Sequence, residues 1–129
     1  MKNIFNVNPV VLTAAAQTGG GLRSIDLFAR APLPTNVAVE LVAVNNGTAP
    51  GANKTVTAHY ALAGQPDLTA AQLAEADGEQ VLDLQNSADV QRTYTLPVIL
   101  CGQRYLYLWF DNDALDSGAT VTITPRINT

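Results

Sequence analysis

The sequence is short of nearly everything from which catalytic and metal sites are commonly built. It holds one cysteine and one histidine in 129 residues. The lone Cys101 rules out a disulfide within the chain, and one cysteine with one histidine cannot fill the four-ligand shell of a zinc ribbon or an iron–sulfur cluster. Charge is scarce too: Asp, Glu, Lys and Arg make up 14% of the chain, against about 25% in an ordinary domain. The seven basic residues are scattered from Lys2 to Arg126 and the net charge is -4, which excludes a basic patch for nucleic acid.

Long apolar runs are missing as well. Val37 to Val44 and Leu96 to Cys101 are interrupted by Glu40 and Pro97, and both fall far short of the ~20 residues that cross a membrane as a helix. Lys2 followed by Val10 to Ala16 faintly imitates a signal peptide, but Asn3, Asn6, Asn8 and Pro9 break the apolar region, so the chain reads as a cytosolic product.

What the chain does have is alternation. Val37, Val39, Leu41 and Ala43 share one face of a strand over 36–45, and Ala38, Val42 and Val44 share the other, so this strand is apolar on nearly both sides and is expected at the centre of a sheet. Thr55 to Leu62 sets Val56, Ala58, Tyr60 and Leu62 against Thr55, Thr57, His59 and Ala61, a half-buried strand with its threonine face toward water. Val121 and Ile123 face in where Thr120, Thr122 and Thr124 face out. Further strands fall at 10–15, 23–28, 80–84, 91–96 and 104–110, separated by turn residues such as Asn45-Asn46-Gly47, Pro50-Gly51 and Ser117-Gly118. Gly19-Gly20-Gly21 reads as a flexible joint, and Pro97 belongs at an edge or bend. Thr69 with Gln72 matches a capping box, and Ala70 to Ala76 with Gly78 as a stop predicts a helix of about two turns. The expected fold is all-β: an antiparallel two-sheet β-sandwich or jelly roll of about eight strands with one short helical excursion. Residues 1–8 form an extended arm and residues 9–129 a single sandwich domain.

Candidate chemistry is thin. Nucleophilic catalysis needs a base within reach of Ser, Thr or Cys and a third group orienting that base. His59 has no carboxylate near it in sequence, there is no Gly-x-Ser-x-Gly elbow, and Cys101 after Val98 to Leu100 reads as a buried, inert thiol, so no catalytic residue and no cofactor are assigned. Asp111, Asp113 and Asp116 with Asn112 offer hard oxygens of the kind calcium takes, but they lack the EF-hand order and read as a polar turn. Two interaction candidates remain. In Arg104 to Phe110 the leucines and Phe110 lie on one face, and Tyr105, Tyr107 and Trp109 on the other, either packing in a core or meeting a sugar or protein. In the arm, Ile4, Phe5 and Val7 could pair with a neighbouring subunit's sheet edge or form the first strand of their own domain.

The carboxy-terminal block, Gln103-Arg-Tyr-Leu-Tyr-Leu-Trp-Phe-Asp111 followed by Ser117-Gly-Ala-Thr-Val-Thr-Ile-Thr124, resembles the small virion structural proteins of tailed bacteriophages, closest in style to capsid decoration (cement) proteins. The resemblance covers length, composition and layout: an apolar arm, a Thr-rich sandwich and a closing Val/Thr strand. It implies a non-catalytic protein, assembled with itself as a dimer or trimer, that binds the major capsid protein on the exterior of the virion and bridges neighbouring capsomers after being made in the host cytoplasm. The alternative is a carbohydrate- or receptor-binding module of a phage tail or fibre. The interface candidates Ile4, Phe5, Val7, Tyr105, Tyr107 and Trp109 rest on their physical character alone.

Overall fold

A computed structural model of the chain describes residues 4–29, 36–73, 75–99 and 103–128. The described residues are all-β, as the alternation predicts. In chain order they form β1 (Ile4–Asn6), β2 (Val10–Leu12), β3 (Gln17–Asp26), β4 (Asn36–Asn46), β5 (Thr55–Ala63), β6 (Gly78–Asp83), β7 (Gln91–Ile99), β8 (Tyr105–Asn112) and β9 (Thr120–Asn128), with a 3-10 turn at Leu27–Ala29. Cys101, read as a buried thiol, lies outside the described residues.

Every pairing is antiparallel. One sheet runs β1/β2, β9, β4, β7, with β1 and β2 lying end to end along β9; the other runs β3, β8, β5, β6. With β1 and β2 counted as one broken strand, first pairs with last and each successive strand with the next one in from the end, down to the β5–β6 hairpin. A long hairpin rolled into two sheets in this order is a jelly roll.

The two-residue period decides which side chains meet between the sheets. In β9 the buried positions are Val121, Ile123, Pro125 and Ile127, and the threonines alternate with them on the outer face. β4 is central, as its two apolar faces predict, and Val39 and Leu41 have no exposed surface. Leu106, Leu108 and Phe110 of β8 meet them from the opposite sheet in one continuous core. Tyr94 of β7 closes the open edge: its hydroxyl donates to the Asp83 carbonyl at the end of β6 at 2.6 Å, joining the two sheets, and burial pushes it above the usual phenol range against the opposing pull of Arg92.

The edge strand is broken for a local reason. Asn6 pairs with Arg126 and Val10 with Ile123, so the edge spends one residue more than β9 between them, a bulge at Val7 to Pro9. Pro9 has no amide hydrogen, and neither does Pro125, whose carbonyl accepts from the Val7 amide at 2.8 Å on that same side. The prolines thus fall where pairing is already interrupted. Pro97 lies on β7, an edge strand, as expected. The arm therefore contributes the first strand of its own sheet, and Val7 packs half-buried against the core.

Three local expectations are corrected. Gly19-Gly20-Gly21 is not a joint but part of β3, where register shifts against β8 are absorbed by Gly19 and Gly21 at φ of 70° and 64°. The helix over 70–76 is a single turn among the described residues: the capping box forms, Thr69 N–H to Gln72 Oε1 at 2.8 Å and Gln72 N–H to Thr69 Oγ1 at 3.2 Å, but residues 75–77 are not helical. Gly78 is no helix stop. It opens β6 beneath the Tyr60 ring, which a Cβ would strike.

Glycine requirements differ by site in a way that can be measured. Gly47 has φ +67 with nothing within 4 Å of a built Cβ, whereas at Gly21 a Cβ would be driven into Val10. Gly47→Ala should cost about 1 kcal/mol, from the left-handed backbone alone, and Gly21→Ala about 1–3 kcal/mol more, from overpacking. Urea unfolding midpoints of the two variants check this; equal losses would show that Val10 yields freely.

Candidate functional site

The outer faces of the two sheets differ. That of β1/β2, β9, β4, β7 carries no covering segment among the described residues, whereas residues 64–77 fold back over the outer face of β3, β8, β5, β6. Their landing is set by β8. The Tyr107 hydroxyl donates to the Gln65 carbonyl at 2.7 Å and accepts from the Leu68 amide at 3.3 Å. Asp77 anchors the return, with its amide donating to the Tyr60 carbonyl at 2.8 Å and its carboxylate accepting from the Leu62 amide at 2.6 Å. Leu73 then drops onto Ala61, Tyr107 and Trp109 to make a second, smaller core. The threonine face of β5 is therefore open to water only in its first half, and Ala61 is buried.

Between this segment and the sheet lies a cleft of about 370 Å³, lined by Thr18, Gly19, His59, Ala70, Ala71, Leu73, Ala76, Trp109 and Asp111. Strand register assembles it. His59 stands directly opposite Trp109 on one side and Glu79 on the other, with Asp111 one diagonal step away on β8. The imidazole stacks on the indole with centroids 5.5 Å apart and planes 17° apart. Its Nε2 is 2.9 Å from Asp111 Oδ2, and its Nδ1 is 3.4 Å from Glu79 Oε2. The Gly19 amide donates to Asp111 Oδ1 at 2.6 Å. A polar line thus crosses all four strands in spatial order, from β3 through β8 and β5 to β6.

Sequence reasoning did not find this site, because the partners of His59 lie 20 residues ahead and 52 residues ahead in the chain. Alternation put His59 on the threonine face of its strand and Trp109 on the tyrosine face of its own, but Asp111 was expected in the turn after Phe110; β8 in fact runs on to Asn112, and only its pairing with β5 brings the three together. Both ring nitrogens face carboxylates, so neither is presented to a hydroxyl or a thiol. The geometry is suited to holding a ligand rather than to activating a nucleophile.

The other candidates fall elsewhere. Tyr107 is fully buried and Trp109 is 6% exposed, both beneath the chain's own covering segment. Tyr105 is half-buried under the Arg104 guanidinium, 5.3 Å from its ring centroid. Arg104 bonds Asp26 through Nε at 3.0 Å and a terminal nitrogen at 2.8 Å, and that hydrogen bond, followed by the Asp26 charge, raises its already high pKa. Ile4 and Phe5 are paired by their backbones with Asn128 and Ile127. The three aspartates are used separately: Asp113 Oδ2 accepts from the amide and hydroxyl of Thr55 at 3.0 Å each, and the Asp116 carbonyl accepts from the Ala119 amide at 2.9 Å. No group of three potential metal-ligating side chains converges among the described residues.

Comparison of the chain with protein-family models and with curated proteins finds no match. The functional reading accordingly rests on the residues and their geometry.

Tyr107→Phe should release residues 65–73 while leaving the sandwich folded, at a cost of about 1 kcal/mol for the hydrogen bonds lost. Amide exchange should accelerate in that segment only. Unchanged protection there would mean that Leu73 packing alone holds it down.

Proposed function

We propose that this protein is a non-catalytic virion structural protein that decorates the outside of a phage capsid, binding the major capsid protein and bridging neighbouring capsomers. The observation that carries this reading is the bare outer face of the β1/β2, β9, β4, β7 sheet. Its outward-facing row is made of the half-buried Thr122 and Thr124 on β9 and Val42 and Val44 on β4, with the exposed Thr93 and Thr95 on β7 and Val11, 55% exposed, on β2. Glu40 and Arg126 are its charged side chains among the described residues, and they neutralise each other directly, the Arg126 Nε donating to Glu40 Oε2 at 2.8 Å.

Such a face costs less to dehydrate on docking than one bearing several isolated charges, because few charges lie on it and the two it has are already paired. The same reasoning accounts for the low charge content of the whole chain. Several copies held together as a dimer or trimer would strengthen binding to a shell by acting at once. The jelly roll is compatible with this use without requiring it, since the fold serves many functions. The arrangement of His59 also supports a non-catalytic role. The alternative, a sugar- or receptor-binding module using the Tyr-Trp row, gains no support, because that row is covered by residues of the same chain.

Capsids carrying the protein should withstand a higher temperature than capsids lacking it. Val42→Glu and Thr124→Glu, which place added charge on the bare face, should abolish that protection and shell binding while leaving the sandwich folded, at a cost of about 1 kcal/mol for replacing a β-branched residue at a half-buried strand position. Equal disruption temperatures with and without wild-type protein would end the cement reading, and full protection by both variants would move the contact off this face.

A further inference from the structure

The cleft beneath residues 64–77 has a definite chemical character. On the sheet side stands the Asp111 carboxylate, 39% exposed, with Glu79 beyond His59. On the side of the covering segment stand Ala70, Ala71, Leu73 and Ala76, all apolar. No lysine or arginine among the described residues lines it. The local charge is negative whichever way the imidazole is protonated, since two carboxylates face one ring.

Asp111 is also held in place. It follows the fully buried Phe110, and each of its oxygens has one partner, the Gly19 amide at 2.6 Å and His59 Nε2 at 2.9 Å. A carboxylate offers about four lone-pair positions, so acceptor capacity remains on a group already immobilised, and little ordering cost attends a new bond. The volume, about 370 Å³, falls in the range of pockets that hold small ligands.

These features select among ligands. An anion would meet Asp111 and Glu79. A sugar would need an open aromatic face, and the indole of Trp109 has one face against His59 and 6% exposure overall. A cation on an apolar stem matches both walls, since long basic side chains lay their methylenes on apolar surface and keep the charged head at a polar group. Among such cations, a planar guanidinium bonds a carboxylate with the better geometry.

We propose that this cleft is a binding site for an arginine side chain presented by a protein partner, with the guanidinium on Asp111 and the stem along Ala70, Ala71 and Ala76. The site lies on the opposite sheet from the bare face and stands independently of the docking assigned to that face. If both contacts operate, the molecule grips separate neighbours on its two sides, which is what bridging requires.

The chain reports on this cleft itself, because its sole tryptophan and its sole histidine both line it. The full chain should be titrated with Nα-acetyl-arginine amide while the Trp109 fluorescence and the His59 ring proton shifts are followed. Nα-acetyl-citrulline amide serves as the uncharged control of the same shape. The expected result is a saturable response to the arginine probe, at least tenfold weaker for citrulline, and lost in both Asp111→Asn and Ala71→Phe. The first variant removes the charge; the second narrows the cleft and leaves the polar line untouched, so it decides the matter if Asp111→Asn fails to fold. Absence of saturation, an equal response to citrulline, or wild-type binding by Ala71→Phe would overturn the proposal. None of these outcomes bears on the heat resistance of decorated capsids, which reads the other sheet.

Discussion

The structure depends on β8 being buried on both faces. Leu106, Leu108 and Phe110 reach into the space between the sheets, and Tyr107 and Trp109 reach the other way into the small core under residues 64–77. Five consecutive side chains without appreciable exposure are unusual for a strand of an antiparallel sandwich, which ordinarily has one face in water. The Tyr107 hydroxyl ties both ends of this arrangement together, since it is the polar tip that a buried ring must satisfy and also the anchor for the loop that buries it. Without that layer there would be no cleft, and His59 would be an ordinary exposed residue on a threonine face.

The parts of the fold that were legible in the sequence are those whose signal is local and periodic. The Val and Thr alternation of β9, the two-sided apolarity of β4, and the segregation of leucines from aromatics in β8 all survive unchanged in the structure. The capping box of Thr69 and Gln72 was legible too, and it forms; what its spacing could not convey is that Asp77 must reach the backbone of Tyr60 and Leu62 only four residues after Leu73 has docked. That tether leaves no room for a second helical turn. The glycines of β3 were misread because a joint and a bulge use the same left-handed backbone, and only the pairing with β8 tells them apart.

The candidate site was illegible for a related reason. Its members come from four strands, and their convergence follows from the register of a sheet whose neighbours are far apart in the chain. Residue type still offered a hint: a lone histidine and a lone tryptophan on outer faces need some account of how their polar atoms and large rings are accommodated. The jelly roll supplies it, since rolling a hairpin brings the fifth strand beside the eighth. The same topology divides the exterior into two unlike surfaces, one bare and almost uncharged, the other dressed by its own chain and locally acidic. Two unlike surfaces suit a molecule that meets two different neighbours.

The break between β1 and β2 carries one more consequence. A protein with little charge to hold copies apart risks stacking strand upon strand into fibrils when it accumulates, because any long, straight sheet border is a template for the next chain. Here that border is cut into two three-residue pieces by Val7 to Pro9, with a second proline behind the gap. Strand addition along that border is interrupted at the kink, so the first and last segments of the chain close their side of the sheet against a further copy.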